Sequence, residues 1–346
     1  NTQNMKMSEF KYILPEDRIA KYPPKRRGTT KLLVLDRSSG HILHKKYPDC
    51  VEYINKGDVV VINDTKVEKR RTFFHDSKGR LFEILFLNKQ KEGNWFALIK
   101  KNKLLKEGIV LINEREQSIQ VRIKEKKENG RVVELLSPFS EEEIFQKIGH
   151  TPIPPYMKRL DTKEDYERYN TVFGQNVGSV ASPTASLNLT EEILKRIEEK
   201  GAKIVKVELK VGWGTFAPIK EENIEDHIIH EEEISLSKTA AIEINRVKEE
   251  GGSVWVFGTT VARLLESCAD DSGMLSEFTG TTNVYIYPGY KWKVVDHLVT
   301  NFHMPDSSLI LLVSSFAGKE LIKSAYQEAL KNKYMFLSYG DSMLIL

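Results

Sequence analysis

The sequence predicts an α/β protein, in which a large mixed α/β domain is interrupted by an inserted antiparallel β-barrel domain. Three observations predict it. Val59-Val60-Val61-Ile62 is a continuously apolar run, the pattern of a strand buried on both faces. From residue 64 to about 138, short runs alternate in the strand period, are joined by polar turns and are broken by no long helix. After residue 151, helical and strand patterns alternate. The expected boundaries are 1–63 and 151–346 for the large catalytic domain and 64–150 for the barrel. A chain of 346 residues is long enough for two cores.

In chain order, residues 31–36 and 58–63 read as strands of the large domain. The insert follows, with strands expected at 81–87, 94–99, 109–112, 118–123 and 131–136. Its connectors hold Glu92-Gly93, Glu107-Gly108 and Asn129-Gly130, and Asn-Gly is a strong hairpin signal. Ser140, with Glu143 three residues on, opens a short helix to Ile148. Pro152, Pro154 and Pro155 then forbid helix and predict an extended return to the large domain. Thr190 caps a helix whose first turn holds Glu191 and Glu192, and Gly201 stops it. A strand at 203–209 follows. A helix at 237–250 ends at Gly251-Gly252, before an apolar strand at 253–257. Further helices are expected at 261–267 and 320–331, and an apolar one after Pro305. Residues 1–63 should complete the same sheet.

Composition removes several classes. The hydrophobic fraction of 40% is that of a globular protein. No apolar run approaches the roughly 18 residues of a membrane span, and 307–317 is too short. The amino terminus is polar, without the apolar stretch of a signal peptide. Only Cys50 and Cys268 are present, which excludes a disulfide scaffold and a four-cysteine zinc site. Two reduced thiols in a cytoplasmic protein is the expectation. Net charge is +3, but residues 64–131 hold 18 Lys+Arg against 10 Asp+Glu. That module is either a solvated lysine-rich surface or a site for a polyanion, with Arg70 and Arg71 as its expected contacts.

Generic enzyme signatures are missing: there is no Walker loop, GxGxxG, GxSxG or HExxH. His227 and His230 stand three apart and would share a helix face. No third ligand is fixed by spacing, so proton handling is expected there rather than a metal. Gly258-Thr259-Thr260 lies between a strand and a helix, where backbone N–H groups converge on an anion or are simply capped. Arg263 and Glu266 follow on that helix, able to pair with each other or with a substrate. Tyr287-Pro288-Gly289-Tyr290, Asn301-Phe302-His303-Met304-Pro305 and Ser338-Tyr339-Gly340-Asp341 crowd polar and aromatic groups into the last 90 or so residues.

These motifs carry a resemblance. Tyr22-Pro23, Leu32-Leu33-Val34-Leu35-Asp36, Gly57-Asp58, Asn63-Asp64-Thr65, Pro154-Pro155-Tyr156, Gly178-Ser179-Val180-Ala181 and Pro183-Thr184-Ala185 stand in order. Val211-Gly212, Gly214-Thr215-Phe216, His227, His230-Glu231, Gly258-Thr259-Thr260 with Arg263 and Leu265-Glu266, and the three motifs just named complete the set. Together they resemble the S-adenosylmethionine:tRNA ribosyltransferase-isomerase family of the queuosine pathway, over nearly the whole chain. The resemblance implies an α/β domain with a barrel insert. It implies transfer of the ribosyl part of S-adenosylmethionine to an aminomethyl-deazaguanine base in the tRNA anticodon loop. Isomerisation to an epoxycyclopentanediol then releases adenine and methionine. It implies S-adenosylmethionine and tRNA as partners, no cofactor beyond that co-substrate, no metal and no membrane; a cytoplasmic monomer is expected.

At the positions the resemblance supplies, chemistry suggests roles. His227, His230 and His303 are the candidate acids and bases, because imidazole titrates near neutrality. Pro183, Thr184, Gly258, Thr259, Thr260, Arg263, Glu266, Tyr287, Asn301, Phe302 and Asp341 are the candidate substrate contacts. Glu231, Glu266 and Asp341 are expected to face the sulfonium or the methionyl ammonium, and the Gly258–Thr260 turn the methionyl carboxylate.

The chain departs from the family where Thr184-Ala185-Ser186-Leu187-Asn188-Leu189-Thr190 replaces the usual Thr-Ala-Gly-Leu-His-Phe-Thr. It departs again where Lys210 and Ala217 replace a histidine and an arginine, where Trp213 adds bulk, and along residues 66–72. Two other readings stay open: a paralogue using S-adenosylmethionine with another acceptor or cleavage, and an inactive RNA-binding scaffold.

Overall fold

The computed structural model describes residues 4–128, 130–212 and 217–346. The chain divides into two units, one of Asn1–Lys66, Pro154–Arg159 and Glu167–Leu346, the other of Val67–Ile153 and Leu160–Tyr166.

The larger unit is built on a nine-stranded mixed sheet. Across the sheet the order is Phe278–Thr282, Glu232–Leu236, Lys203–Lys210, Val59–Asn63, Val254–Phe257, His297–Asn301, Ser342–Ile345, Lys31–Leu35 and Ile42–Lys46. Val59–Asn63 is buried along its whole length, as its unbroken apolar run requires. Successive side chains point to opposite faces, and the two cores obey that period. Val59, Val61, Val254 and Val256 join one core, whereas Val60, Ile62, Trp255 and Phe257 join the other. Helices Lys238–Glu249, Thr259–Cys268, Ser308–Ala317 and Lys319–Lys331 cover the first face; Glu191–Glu199 and the turn Tyr47–Tyr53 cover the second. Thr190 and Ser237 cap their helices by accepting from Ile193 N and Ala240 N, each at 3.1 Å.

Topology places the site. Lys203–Lys210, Val59–Asn63, Val254–Phe257 and His297–Asn301 run parallel, side by side. Their carboxyl ends, Lys210, Asn63, Phe257 and Asn301, therefore come out on one edge. Asn63 ties that edge together: its Nδ2 donates to the Leu209 carbonyl at 2.9 Å and its Oδ1 accepts from Leu209 N at 3.2 Å.

The smaller unit is a closed antiparallel barrel of six strands, ordered Gly130–Leu136, Asn94–Ile99, Leu81–Lys89, Arg71–His75, Val110–Asn113 and Gln120–Lys127. Phe74, Phe86, Trp95 and Val133 fill it, and Phe145 of the helix Glu141–Ile148 packs on Phe86 and Trp95. Five or six strands are expected from the spacing, and Arg71–His75 is the sixth, beyond the five named runs. It also changes the view of the two arginines expected to face RNA. The Arg70 guanidinium stacks 4.0 Å from the Phe145 ring centroid, and Arg71 pairs with Glu83. Both are built into the barrel, so their substitution tests its packing as much as any polyanion. No helix among the described residues is long and apolar enough to cross a membrane.

Candidate active site

A cavity of about 310 Å³ opens at the carboxyl edge of the parallel strands. Small-molecule sites favour that place in an open α/β sheet. Its wall includes Val211 after one strand, Gly258, Thr259 and Thr260 after the next, and Thr300–Met304 at the end of a third. Pro183, Thr184 and Ala185 form another side, with Pro155 and Tyr156 beside them. Of the candidate contacts, Pro183, Thr184, Gly258, Thr259, Thr260, Asn301, Phe302 and His303 thus meet around one space.

Local structure explains the placing. Gly258 adopts φ +109°, which an L side chain rarely takes, while its N–H donates to the Val299 carbonyl at 2.8 Å. The chain thereby turns from strand directly into the helix Thr259–Cys268, two residues earlier than expected. The first-turn N–H groups of that helix have no partner within it. Thr184 Oγ1 donates to Asn301 Oδ1 at 2.8 Å, and Asn301 Nδ2 donates to the Leu337 carbonyl at 3.3 Å, which joins three walls. Leu337 itself is held at φ +73°, a costly conformation for a bulky residue and one found where structure is over-determined. Phe302 stacks on Phe336 at 4.7 Å, so its ring belongs to the core.

His303 is the best-fixed polar group of the wall. Its N–H donates to Tyr326 Oη at 2.9 Å, its carbonyl accepts from Tyr12 Oη, and its Nε2 lies 2.8 Å from Thr300 Oγ1. Burial, helped by the Arg263 charge, pushes its pKa from 6.5 down to about 3. The imidazole is therefore neutral at pH 7, which corrects the expectation that it titrates near neutrality. The unfolded chain binds this proton more readily, so the neutral group favours folding fully above pH 6.5 and loses that contribution as pH falls from about 6.5 toward 3. We expect no titration of the His303 ring above pH 5 by NMR, and a smaller acid loss of stability in His303→Ala than in the parent. A ring titrating near 6.5 would refute this.

Other candidates stand apart from the cavity wall. Glu266 spends its carboxylate on one loop: it accepts from Tyr290 Oη at 3.0 Å and from the backbone N–H groups of Lys293, Val294 and Val295. It holds that loop rather than facing a sulfonium. Asp341 accepts from Lys31 N and Met335 N, each at 2.7 Å, while burial pushes its carboxyl upward. With Gly340, where a Cβ would lie 2.4 Å from the Met335 carbonyl, it makes a tight structural turn. Arg263 pairs with Glu232, not Glu266, and its Nε and Nη2 are buried without a partner among the described residues.

His227 and His230 do not share a helix face, because the chain is extended after a short turn at Ile224–Asp226. His227 Nδ1 lies 3.0 Å from Glu221 Oε2, and its ring meets Tyr285, which in turn packs on Tyr287. His230 and Glu231 are exposed. Among the described residues no group of three His, Cys, Asp or Glu side chains is placed to hold a metal. Gly214-Thr215-Phe216, with Trp213, lies outside the described residues.

The site reading missed Tyr156, Ser182 and Ser338, all on the wall. Tyr156 Oη hydrogen-bonds Ser338 Oγ and accepts from Ser338 N at 3.2 Å; burial pushes that phenol up to about 12. Tyr156 and Ser338 stood inside motifs already noted, which was the available signal.

The sequence matches the Queuosine biosynthesis protein family over residues 7–345. The chain belongs to that family. An S-adenosylmethionine:tRNA ribosyltransferase-isomerase of Clostridioides difficile is 42% identical over 343 residues, covering 99% of this chain and 100% of the relative. One of Clostridium kluyveri is 43% identical over 344 residues, with the same coverage. The crystal structure of S-adenosylmethionine tRNA ribosyltransferase from Thermotoga maritima aligns with a TM-score of 0.56 at 29% identity, over 98% of this chain and 100% of that one. In this member of the queuosine biosynthesis family, two departures prove unequal. Lys210 Nζ lies 3.3 Å from Glu233 Oε2, an ion pair outside the cavity wall, whereas Ala217 lines the cavity. Asn188 is buried.

Proposed function

We infer that this chain is an S-adenosylmethionine:tRNA ribosyltransferase-isomerase of queuosine biosynthesis. It moves and isomerises the ribosyl moiety of S-adenosylmethionine onto the 7-aminomethyl-7-deazaguanine base of tRNA, giving epoxyqueuosine-tRNA, adenine and methionine. The observation that carries this reading is full-length family membership, with curated relatives of that name at 42% identity across 99% of the chain. The paralogue and inactive-scaffold readings are not favoured.

The cavity supports a division of labour. The sulfonium acidifies its neighbouring 5′ carbon, a base takes that proton, and adenine accepts a proton as it leaves. We assign the first-turn N–H groups after Gly258 to the methionyl carboxylate, because a helix amino terminus favours an anion there. Thr184 and Asn301 hold the substrate across the cavity. Neutral His303 offers a hydrogen bond to the substrate. A cytoplasmic setting follows from tRNA as substrate, and the chain is taken to act as a monomer.

Incubation with S-adenosylmethionine and tRNA carrying the aminomethyl base should release adenine and methionine together. The yield should be unchanged in EDTA, since S-adenosylmethionine is itself the reagent. Release of either product without a modified tRNA would move the weight to another acceptor. Loss of activity in EDTA, restored by one metal, would overturn the metal-free chemistry.

A further inference from the structure

Tyr22-Pro23 is not on the cavity wall, although it belongs to the matched motifs. Its loop is one-signed: residues 18–35 contain Arg18, Lys21, Lys25, Arg26, Arg27 and Lys31 and no acid. Tyr22 is 62% exposed, unusual for a ring this large. It is also held in place. The Arg159 guanidinium lies 4.2 Å from its ring centroid, and Arg159 Nε donates to the Lys21 carbonyl at 2.8 Å. The ring and the cation thus form one rigid pair with an open face. Lys25 and Arg26 beside it are exposed, with no acidic partner among the described residues.

This surface borders the cavity by two routes. Arg27 Nη1 donates at 2.7 Å to the carbonyl of Leu187, which closes the Thr184–Ser186 turn of the wall. Arg159 itself lies three residues after Tyr156 of the wall. A base that reacts inside a cavity must leave its stack, and its neighbours are left unstacked at the rim. Single-stranded RNA is bound by aromatic faces for bases and by cations for phosphates.

We propose that the Tyr22–Arg159 pair with Lys25 and Arg26 is a docking surface for the single-stranded anticodon-loop nucleotides that flank the modified base. This rests on tRNA being the substrate. An acidic peptide would answer the cations but would leave the open aromatic face unused.

The test measures binding of whole tRNA and of its isolated anticodon stem–loop across a salt series, with S-adenosylmethionine binding as a check on folding. Tyr22→Ala should weaken both RNAs about tenfold or more, and Tyr22→Phe should not, because the stacking face is kept. Lys25→Ala with Arg26→Ala should lower the slope of log affinity against log salt by about 1–2. S-adenosylmethionine binding should be unchanged in every variant. Wild-type RNA affinity in Tyr22→Ala would overturn the proposal. Weaker tRNA but unchanged stem–loop binding would put the surface on another part of tRNA and overturn it equally. A parent protein that binds no tRNA would instead bring down the proposed function, and this inference with it.

Discussion

His303→Ala should lower turnover about 10²-fold or more, the scale of losing a positioned hydrogen-bonding group in the site, with the fold and S-adenosylmethionine binding retained. The reason lies in how much of the structure is spent on this one side chain. Two tyrosine hydroxyls clamp its peptide, from Tyr12 and Tyr326, and Thr300 holds one ring nitrogen. Buried backbone groups need such partners in any residue; what singles out His303 is that it also lines the cavity. With its pKa pushed down to about 3, the ring acts as a neutral hydrogen-bonding group and never as a standing imidazolium at pH 7. His303→Asn, which keeps an amide near the Nδ1 position, should therefore recover part of the loss. Steady-state turnover beside thermal unfolding decides it. A fully active His303→Ala enzyme removes the residue from the catalytic list.

The second large effect is on stability. Glu232→Ala should cost about 3–5 kcal/mol, because it strands a charge in the interior. Glu232 and Arg263 side chains are 4% and 9% exposed, and the Glu232 carboxylate also accepts from Gly212 N at 2.7 Å. Arg263 already carries buried N–H groups without a partner among the described residues, so removing the carboxylate takes away the acceptor that the described residues give it. Replacing both residues by methionine should cost far less than either single change, since the pair pays heavily for its own desolvation. Urea unfolding of the three variants checks this. A single substitution costing under about 1 kcal/mol would mean that water already reaches the pair.

The interior of the fold was legible and its margins were not. Val59–Asn63 and Val254–Phe257 stand out because strands buried on both faces are apolar at every position. Ile42–Lys46 and Phe278–Thr282 were passed over. They are the two edges of the sheet, mostly exposed, so neither has a buried face to imprint a period on its residues. The turn after Gly258 was readable because strand, glycine and helix follow one another directly. The partners of Glu266 were not: the N–H groups it binds are 27 to 29 residues downstream, and a backbone donor leaves no mark on composition. For the same reason Arg263 was set opposite its helical neighbour when its carboxylate comes from another strand. His227 and His230 failed differently. Their spacing fits a helix, but the chain there is extended, so a period of three carries no geometry by itself.

The place of Ser342–Ile345 in the sheet bears on how the protein is made. This strand is interior, paired with His297–Asn301 on one side and with Lys31–Leu35 on the other. On a ribosome the early segment Lys31–Leu35 must wait for a neighbour synthesised about 300 residues later. The barrel strands span only residues 71–136, so they can close while translation continues. The nascent chain therefore carries a finished barrel together with apolar strands, Lys31–Leu35 and Val59–Asn63, that are not neighbours and still lack later partners. Val59–Asn63 is relieved once Lys203–Lys210 and Val254–Phe257 have been made, whereas one edge of Lys31–Leu35 stays open to aggregation and to chaperones until Ser342–Ile345 emerges.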